Sequence, residues 1–380
     1  FERVTENEVA WAINRVKPYS SPGTDGIKGI VLKQVVPVIA KPRAGLLSRC
    51  LESQRFPDVW KQANVIVFPK GRDRDPSLPG SYRPIYLLSV LGKVFERVIN
   101  DRLLEAVQPR LQPNQYGFKG RSSEDALNSV KRSVGQSPLK YAPLGNFVDI
   151  SGAFDNLWWP SLYKRLAELN VSASMIALLR DYCSNRWAKI QGSAGGVQKA
   201  LTKGCPQGSV LGPTLWNIVM DGALVALQDR CHACVAFADD LTVLVHGNSR
   251  LELERNASIA MGALSDWCEA NKLNISAPKS KCILLKGLLS RNPTVRHQGR
   301  PVATIDTAKL LGVWLSSRFL PSQHVIRTTQ VAKKGLDLIL TYTKRHFNIP
   351  NKTLRVYYTS IFVGIVAYCS SFGFQISKGQ

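Results

Sequence analysis

The sequence predicts a globular protein that combines helices and short strands. Of its 380 residues, 44% are hydrophobic and 20% are charged, which is enough apolar material for a core and excludes an intrinsically disordered chain. Apolar residues recur at helical spacing at Val9, Ile13 and Val16, whereas short apolar runs typical of strands occur at 65–68 and 146–150. The length is typical of two to three domains.

The predicted elements follow a clear order along the chain. They are a helix over 9–16, a helix over 46–51, a strand over 65–68, a long helix over 87–107, a strand over 146–150, a helix that starts at Pro160, and a β-hairpin over 235–245. Pro109 ends the long helix because proline cannot continue one, and Pro160 suits the first turn of the next. Turn formers at 20–26 and a charged loop at 69–75 separate the early elements.

The net charge of the chain is strongly positive. It contains 50 Lys and Arg against 27 Asp and Glu, a formal charge of +23 at pH 7. Between residues 279 and 355 there are 15 Lys or Arg and 2 Asp, so this last part carries more than half of the excess. Such a charge attracts polyanions and repels cationic partners, and nucleic acid is therefore the partner class that we expect.

The cysteines indicate a reducing compartment. Eight cysteines are spread along the chain, mostly inside apolar runs, which predicts buried thiols and not a disulfide framework. Cys231 and Cys234 have the spacing of half a zinc site, but no second pair follows, so we do not expect zinc.

One segment has the length of a membrane span. Residues 356–376 contain no charged side chain, but they include several Ser and Thr, a Gln and two Gly. This composition favours a buried helix, and we expect no membrane association.

Three aspartates form the main candidate site. Asp239 and Asp240 lie at the tip of the predicted hairpin, between two apolar runs, and Asp149 ends another apolar run. By itself an Asp-Asp pair is also compatible with an exposed turn, in which Asp is common. Adjacent carboxylates repel each other and raise each other's pKa unless a cation neutralises them. Three acids at neighbouring strand ends can bind two Mg²⁺ ions, the arrangement used for nucleotidyl transfer.

Several segments resemble the reverse-transcriptase region of non-LTR (LINE-type) retrotransposons of the jockey-like group. In the family's order they are SPGTDGI at 21–27, SYRPI at 81–85, LLSVLGKVFE at 87–96, QYGF at 115–118, DISGAFD at 149–155, GCPQGSVLGP at 204–213, FADD at 237–240 and KLLGV at 309–313. Each segment is weak alone, but together and in this order they are specific. The resemblance implies an RNA-directed DNA polymerase that copies retrotransposon RNA into cDNA from a primer 3′-hydroxyl, in target-primed reverse transcription.

The resemblance also implies roles for individual residues. Asp149 and Asp239 would hold the metals and Asp240 would complete the acidic cluster, with two Mg²⁺ ions as cofactor and Mn²⁺ as an alternative. Lys70 and Arg83 would contact the triphosphate of the incoming dNTP, although both also suit a solvated basic surface.

Three further residues match the family's substrate-binding positions. Phe154 matches the bulky residue that excludes a ribose 2′-hydroxyl, and a plain core Phe is its alternative. Gln207 would track the sugar and base of the nucleotide, and Lys279 matches the lysine that protonates pyrophosphate. Lys281 is a rival to Lys279, because a Ser stands where the family more usually has Thr after the lysine.

The fold that the resemblance implies is α+β, a right-hand polymerase with fingers, a ferredoxin-like palm and a helical thumb. We expect fingers and an N-terminal extension over 1–140, the palm with some finger elements over 141–320, and part of the thumb over 321–380. The partners would be an RNA template, a DNA primer and dNTPs, in the nucleus after a cytoplasmic ribonucleoprotein stage. We also expect this chain to be part of a longer polyprotein whose endonuclease and cysteine-rich segments it lacks.

Other functions explain fewer residues. A catalytically silent nucleic-acid-binding module predicts that at least one of the three aspartates is missing, and none is. A two-metal nuclease leaves Phe154 and Gln207 without a role. A group II intron maturase or a telomerase-type reverse transcriptase is compatible with the acids, but the segments at 21–27 and 87–96 favour a retrotransposon.

Overall fold

The structure is a computed structural model. It describes residues 1–71, 74–118, 120–137, 141–192, 195–317, 322–345 and 349–368. The chain forms two compact units that interleave along the sequence. The first unit contains residues 1–113, 150–225 and 267–274, and the second contains the remainder.

Helices and a four-stranded sheet build the first unit. Its helices are α1 (Glu6–Asn14), α2 (Gly29–Gln34), α3 (Val36–Glu52), α4 (Val90–Val107), α6 (Ala153–Asn156), α7 (Trp159–Glu168), α8 (Ala173–Cys183) and most of α9 (Gly212–Leu227). Its strands are β1 (Gln62–Pro69), β2 (Tyr82–Leu88), β4 (Arg186–Gly192) and β5 (Gly195–Leu201), in the spatial order β2-β1-β4-β5. The predicted helices near residues 9 and 46 and the predicted strand at 65–68 are confirmed.

The predicted start of the long helix was wrong by three residues. Leu87 and Leu88 belong to β2, where they pair with Asn64 and Ala63 of β1. The helix starts after Ser89, whose hydroxyl accepts a hydrogen bond from the N–H of Gly92 at 3.2 Å. The apolar run continues across this boundary, so its helical spacing could not reveal where the strand ends.

The second unit is built around a six-stranded sheet. Its strands are β3 (Tyr141–Asp149), β6 (Ala233–Phe237), β7 (Asp240–Gly247), β8 (Lys281–Leu284), β9 (Val295–His297) and β10 (Arg300–Thr304), in the spatial order β6-β7-β3-β8-β10-β9. A separate hairpin joins β11 (Thr307–Leu310) to β12 (Val313–Ser316). The predicted strand at 146–150 and the predicted hairpin at 235–245 are confirmed, with β3 ending at Asp149.

Two helices of this unit lie between its strands or before them along the chain. They are α5 (Ser123–Gln136) and most of α10 (Arg250–Ala270). A capping box of Ser122 and Asp125 starts α5, and its apolar face, with Leu127 and Val130, packs into a core that also holds Val235 of β6.

The end of the described chain is helical but exposed. It contains α11 (Ser322–Arg345), α12 (Asn351–Tyr357), a π-helical turn over Tyr358–Val363 and α13 (Gly364–Ala367). The predicted buried helix over 356–376 is therefore wrong in its described part, where the side chains of Val356 and Val366 are 54% and 48% exposed. Residues 369–376 lie outside the described part. None of the helices that the structure describes is both long and apolar enough to cross a membrane.

Candidate active site

The three predicted aspartates lie together at one edge of the second unit's sheet. Asp149 is the last residue of β3 and is directly opposite Asp240, the first residue of β7, in the antiparallel pairing of these central strands. Asp239 immediately precedes Asp240 and is the second residue of the two-residue turn that joins β6 to β7. Asp239 and Asp240 are exposed and Asp149 is half-buried, while the neighbouring Leu241 is buried. The buried strands thus present three carboxylates at a point that solvent can reach.

The electrostatics of this edge favour a cation. Desolvation, followed by the negative charges of Asp239 and Asp149, raises the pKa of Asp240 from 3.8 to about 6. Carboxylate oxygens are the ligands that Mg²⁺ prefers, so the donor chemistry fits the expected metal. As the side chains stand, however, no three His, Cys, Asp or Glu residues of the described chain converge closely enough to hold an ion.

A lysine ammonium already contacts one of these acids. The Nζ of Lys279 lies 3.4 Å from Oδ2 of Asp149, whereas the Nζ of Lys281 donates a hydrogen bond to the carbonyl oxygen of Pro278 at 3.1 Å. The structure therefore brings Lys279 to the acidic cluster.

Two hydrogen bonds to the backbone of Asp149 hold the loop that carries Lys279 against the end of β3. The buried Ser280 hydroxyl accepts from the N–H of Asp149 at 3.2 Å, and the N–H of Ser276 donates to the carbonyl oxygen of Asp149 at 2.8 Å. The position of Lys279 is thus tied to that of Asp149 by the bonds of its neighbours Ser276 and Ser280.

The segments that carry Phe154 and Gln207 contact each other in the first unit. The N–H of Cys205 donates to the carbonyl oxygen of Phe154 at 2.7 Å, which lays the turn after β3 beside the loop that carries Gln207. This approach requires glycine at position 204, because a Cβ there would lie 2.7 Å from the carbonyl oxygen of Asp155 and the residue has a φ of +88°. The half-buried ring of Phe154 lies 5.5 Å from that of Trp216.

Asp155 is a functional candidate that the sequence reasoning missed. The amide nitrogen of Gln207 donates to its two carboxylate oxygens at 2.9 and 3.1 Å. This bond orients the amide of Gln207. No local pattern predicts it, since the two residues are 52 positions apart.

Glu96 was also missed as an individual residue, although it ends the LLSVLGKVFE segment. Its buried carboxylate accepts hydrogen bonds from the N–H groups of Val210 and Leu211, just before α9, and from the hydroxyl of Tyr182 at 3.3 Å. Burial raises the pKa of Glu96, and the charge of Arg186 opposes that rise. Glu96 therefore holds the loop that carries Gln207.

Lys70 and Arg83 lie on one hairpin of the first unit. Arg83 of β2 pairs with Phe68 of β1, and Lys70 follows the end of β1. The backbone N–H of Lys70 donates to the carbonyl oxygen of Ser81 at 2.8 Å, and its Nζ donates to that of Gly80 at 3.1 Å. Both side chains are exposed, and the loop residues 72 and 73 lie outside the described part.

The predicted site residues thus form groups in separate units. Asp149, Asp239, Asp240 and Lys279 belong to the second unit, and Lys70, Arg83, Phe154 and Gln207 belong to the first. Acids at adjoining strand ends, and basic and amide groups on loops, are the kinds of side chain that nucleotidyl transfer uses.

Comparison with known proteins identifies the family. The sequence model of the family described as reverse transcriptase (RNA-dependent DNA polymerase) matches residues 68–315. The chain belongs to this family of reverse transcriptases. The expected class of enzyme, an RNA-directed DNA polymerase, is therefore confirmed.

The relatives are proteins of mobile elements, which confirms the resemblance to non-LTR retrotransposons. The chain is 38% identical, over 367 residues, to the 115 kDa protein in type-1 retrotransposable element R1DM of Drosophila melanogaster. It is 34% identical over 373 residues to the Pol polyprotein from type-1 retrotransposable element R1 of Bradysia coprophila, and 25% identical over 386 residues to the RNA-directed DNA polymerase from mobile element jockey of Drosophila melanogaster. These alignments cover 96%, 97% and 98% of this chain but 35%, 37% and 41% of the respective relatives.

Proposed function

We propose that this chain copies retrotransposon RNA into cDNA by adding deoxynucleotides to a primer 3′-hydroxyl. The observation that carries the proposal is the pairing of Asp149 with Asp240 across adjacent strands, with Asp239 in the turn beside them. These three acids would hold two Mg²⁺ ions, or Mn²⁺ in their place. Bound there, the metals would lower the pKa of the primer hydroxyl and stabilise the departing pyrophosphate.

The remaining site residues bind and orient the substrates. Lys70 and Arg83 contact the triphosphate of the incoming dNTP, and Gln207, oriented by Asp155, contacts its sugar and base. Phe154 occupies the space that a ribose 2′-hydroxyl needs. Lys279 donates a proton to the leaving pyrophosphate, and its contact with Asp149 supports this assignment over Lys281.

The proposed architecture is a right hand. Fingers and an N-terminal extension would cover residues 1–140, the palm with some finger elements 141–320, and part of the thumb 321–380. The antiparallel pairing of β3 with β7, which carries the acids, supports the proposal that this sheet is the palm.

The partners follow from the family and the charge. The basic residues between 279 and 355 would contact the phosphates of an RNA template paired with a DNA primer. We further propose that the reaction is target-primed reverse transcription in the nucleus, and that an endonuclease and a cysteine-rich segment act from other parts of a longer polyprotein.

A primer-extension assay tests the proposal. The purified chain, with a homopolymer RNA, a complementary DNA primer, dNTP and Mg²⁺, should extend the primer. Asp149→Ala and Asp239→Asn should abolish extension, because each removes a metal-binding carboxylate, while binding of the template–primer stays nearly unchanged. Extension by either variant at a tenth or more of the parent rate would contradict the two-metal assignment.

A further inference from the structure

Gln115 is a buried amide side chain directed at the turn that carries the acids. It is 1% exposed, and its Oε1 accepts hydrogen bonds from the N–H of Gly117 at 2.9 Å and from the N–H of Ala238 at 3.1 Å. Its Nε2 donates to the carbonyl oxygen of Ala238 at 3.3 Å. One side chain therefore binds both backbone groups of the residue immediately before Asp239.

Ala238 has a backbone conformation that an alanine rarely adopts. Its φ is +56°, in the left-handed region where a Cβ crowds the following carbonyl oxygen. Because Ala238 is the first residue of a two-residue hairpin turn, its dihedral angles set the direction in which Asp239 and Asp240 leave the turn. A strained residue at this position persists only where the surrounding structure holds it.

The backbone around Gln115 reinforces this hold. The N–H of Tyr116 donates to the carbonyl oxygen of Ala236 at 2.8 Å, and the N–H of Ala236 donates to that of Asn114 at 2.9 Å. A Cβ at Gly117 would lie 2.4 Å from the backbone nitrogen of Ala238, so only glycine permits this close approach. The segment 114–117 thus runs alongside the end of β6 and reaches the turn.

We infer that Gln115 is a positioning residue for the acidic cluster. Its amide stabilises the left-handed conformation of Ala238 and thereby fixes Asp239 and Asp240 for metal binding. An amide suits this task because it offers one acceptor and one donor to the same peptide segment. An ionised carboxylate only accepts hydrogen bonds and adds a charge, and the hydroxyl side chains differ from Gln in length. The inference rests on the proposed function, because it assumes that these acids bind divalent cations.

The conformational strain at Ala238 provides a specific test. Gln115→Ala should weaken binding of Mn²⁺ to the purified chain, followed by electron paramagnetic resonance, by at least fivefold. It should raise the Mg²⁺ concentration for half-maximal primer extension by a similar factor, with template–primer affinity within twofold of the parent. Ala238→Gly removes the cost of the left-handed conformation, so in that background Gln115→Ala should cost less than twofold in both measurements.

Two control variants separate positioning from general stability. Leu264→Ala creates a cavity in the same unit, at a buried residue of α10, and should lower thermal stability without changing Mn²⁺ affinity. If Gln115→Ala does not fold, Gln115→Asn, one methylene too short to reach Ala238, allows the same comparison with and without Ala238→Gly. A parent-like Mn²⁺ affinity in the folded Gln115 variant, or an equal loss in the Ala238→Gly background, would overturn the inference.

The outcome is distinguishable from a failure of the proposed function. If Asp239→Asn binds Mn²⁺ and extends primers like the parent, the metal assignment itself fails, whatever the Gln115 variants do. If Asp239→Asn is inactive and Gln115→Ala keeps its metal affinity, only the positioning role of Gln115 is wrong.

Discussion

Phe154 is a partly buried residue of the first unit whose ring packs near a buried aromatic side chain. The residue is half-buried, and its ring lies 5.5 Å from the ring of Trp216, which is fully buried. The partial exposure of Phe154 suits its proposed contact with a nucleotide sugar.

Shortening Phe154 should therefore relax sugar selection. In Phe154→Val the steric exclusion of a 2′-hydroxyl is removed, so the efficiency of ribonucleotide relative to deoxynucleotide incorporation should rise at least tenfold, which corresponds to about 1.4 kcal/mol. Single-nucleotide incorporation kinetics with each triphosphate measure this ratio.

Phe147→Val is the matched control for that experiment. Phe147 is a partly buried aromatic on β3 that packs against the core of the second unit. Its replacement should lower stability without changing the sugar ratio. If Phe154→Val also loses stability, by about 3 kcal/mol or more, and keeps the parent's sugar ratio, Phe154 is a core residue and does not belong to the site.

At the scale of elements, a buried carboxylate links α4 to the start of α9. Glu96 accepts two backbone N–H groups that precede α9 and would otherwise have no helical partner. The loop it holds also carries Gln207, whose carbonyl oxygen accepts from the N–H of Tyr86 at 2.8 Å. The orientation of Gln207 thus depends on a residue of another helix.

Removing this carboxylate should be costly. Each buried donor left without an acceptor costs about 1–3 kcal/mol, so Glu96→Ala should lower the free energy of unfolding by about 3 kcal/mol or more and raise the KM for dNTP. Urea unfolding and steady-state primer extension measure the two effects. Glu105→Ala, an exposed position on the same helix, should change stability by less than about 0.5 kcal/mol. Equal stabilities of the two variants would show that Glu96 does not hold the loop.

At the scale of the whole molecule, the positive charge is concentrated toward the end of the chain. Lys333, Lys334 and Lys344 of α11 are exposed, as expected for groups that bind phosphates, and the side chain of Arg345 lies outside the described part. Each phosphate that a protein neutralises contributes a slope of about −0.9 to the dependence of log affinity on log salt for duplex DNA.

Removing these four charges together should flatten that dependence. We expect weaker binding of the template–primer and a slope that is smaller in magnitude by about 0.9 for each phosphate that the variant no longer neutralises. Fluorescence anisotropy over a range of salt concentrations measures the slope. The same number of substitutions at Lys28, Lys41, Arg49 and Arg55, which are exposed in the first unit, should change it less. An unchanged slope in the α11 variant would mean that these residues only solvate an outer face.

The sequence alone was sufficient for the features that depend on short spacings. The apolar runs on both sides of Asp239 and Asp240 predicted the hairpin, and the apolar run before Asp149 predicted the strand that ends there. Both predictions hold because short apolar runs and turn chemistry are local properties of the chain. The ordered motifs added the family, which the comparisons confirm.

Only the tertiary structure decided which of these features meet. Three contacts join segments that no local pattern relates: the pairing of Asp149 with Asp240, the bond from Gln115 to Ala238 across 123 positions, and the bond from the N–H of Val210 to Glu96 across 114 positions. The same holds where local prediction failed: pairing with β1 extends β2 through Leu88, and the apolar segment after Val356 stays exposed in its described part. Periodicity predicts which face of an element is apolar, but the partner that covers that face, or satisfies a buried polar group, is chosen by packing between distant segments.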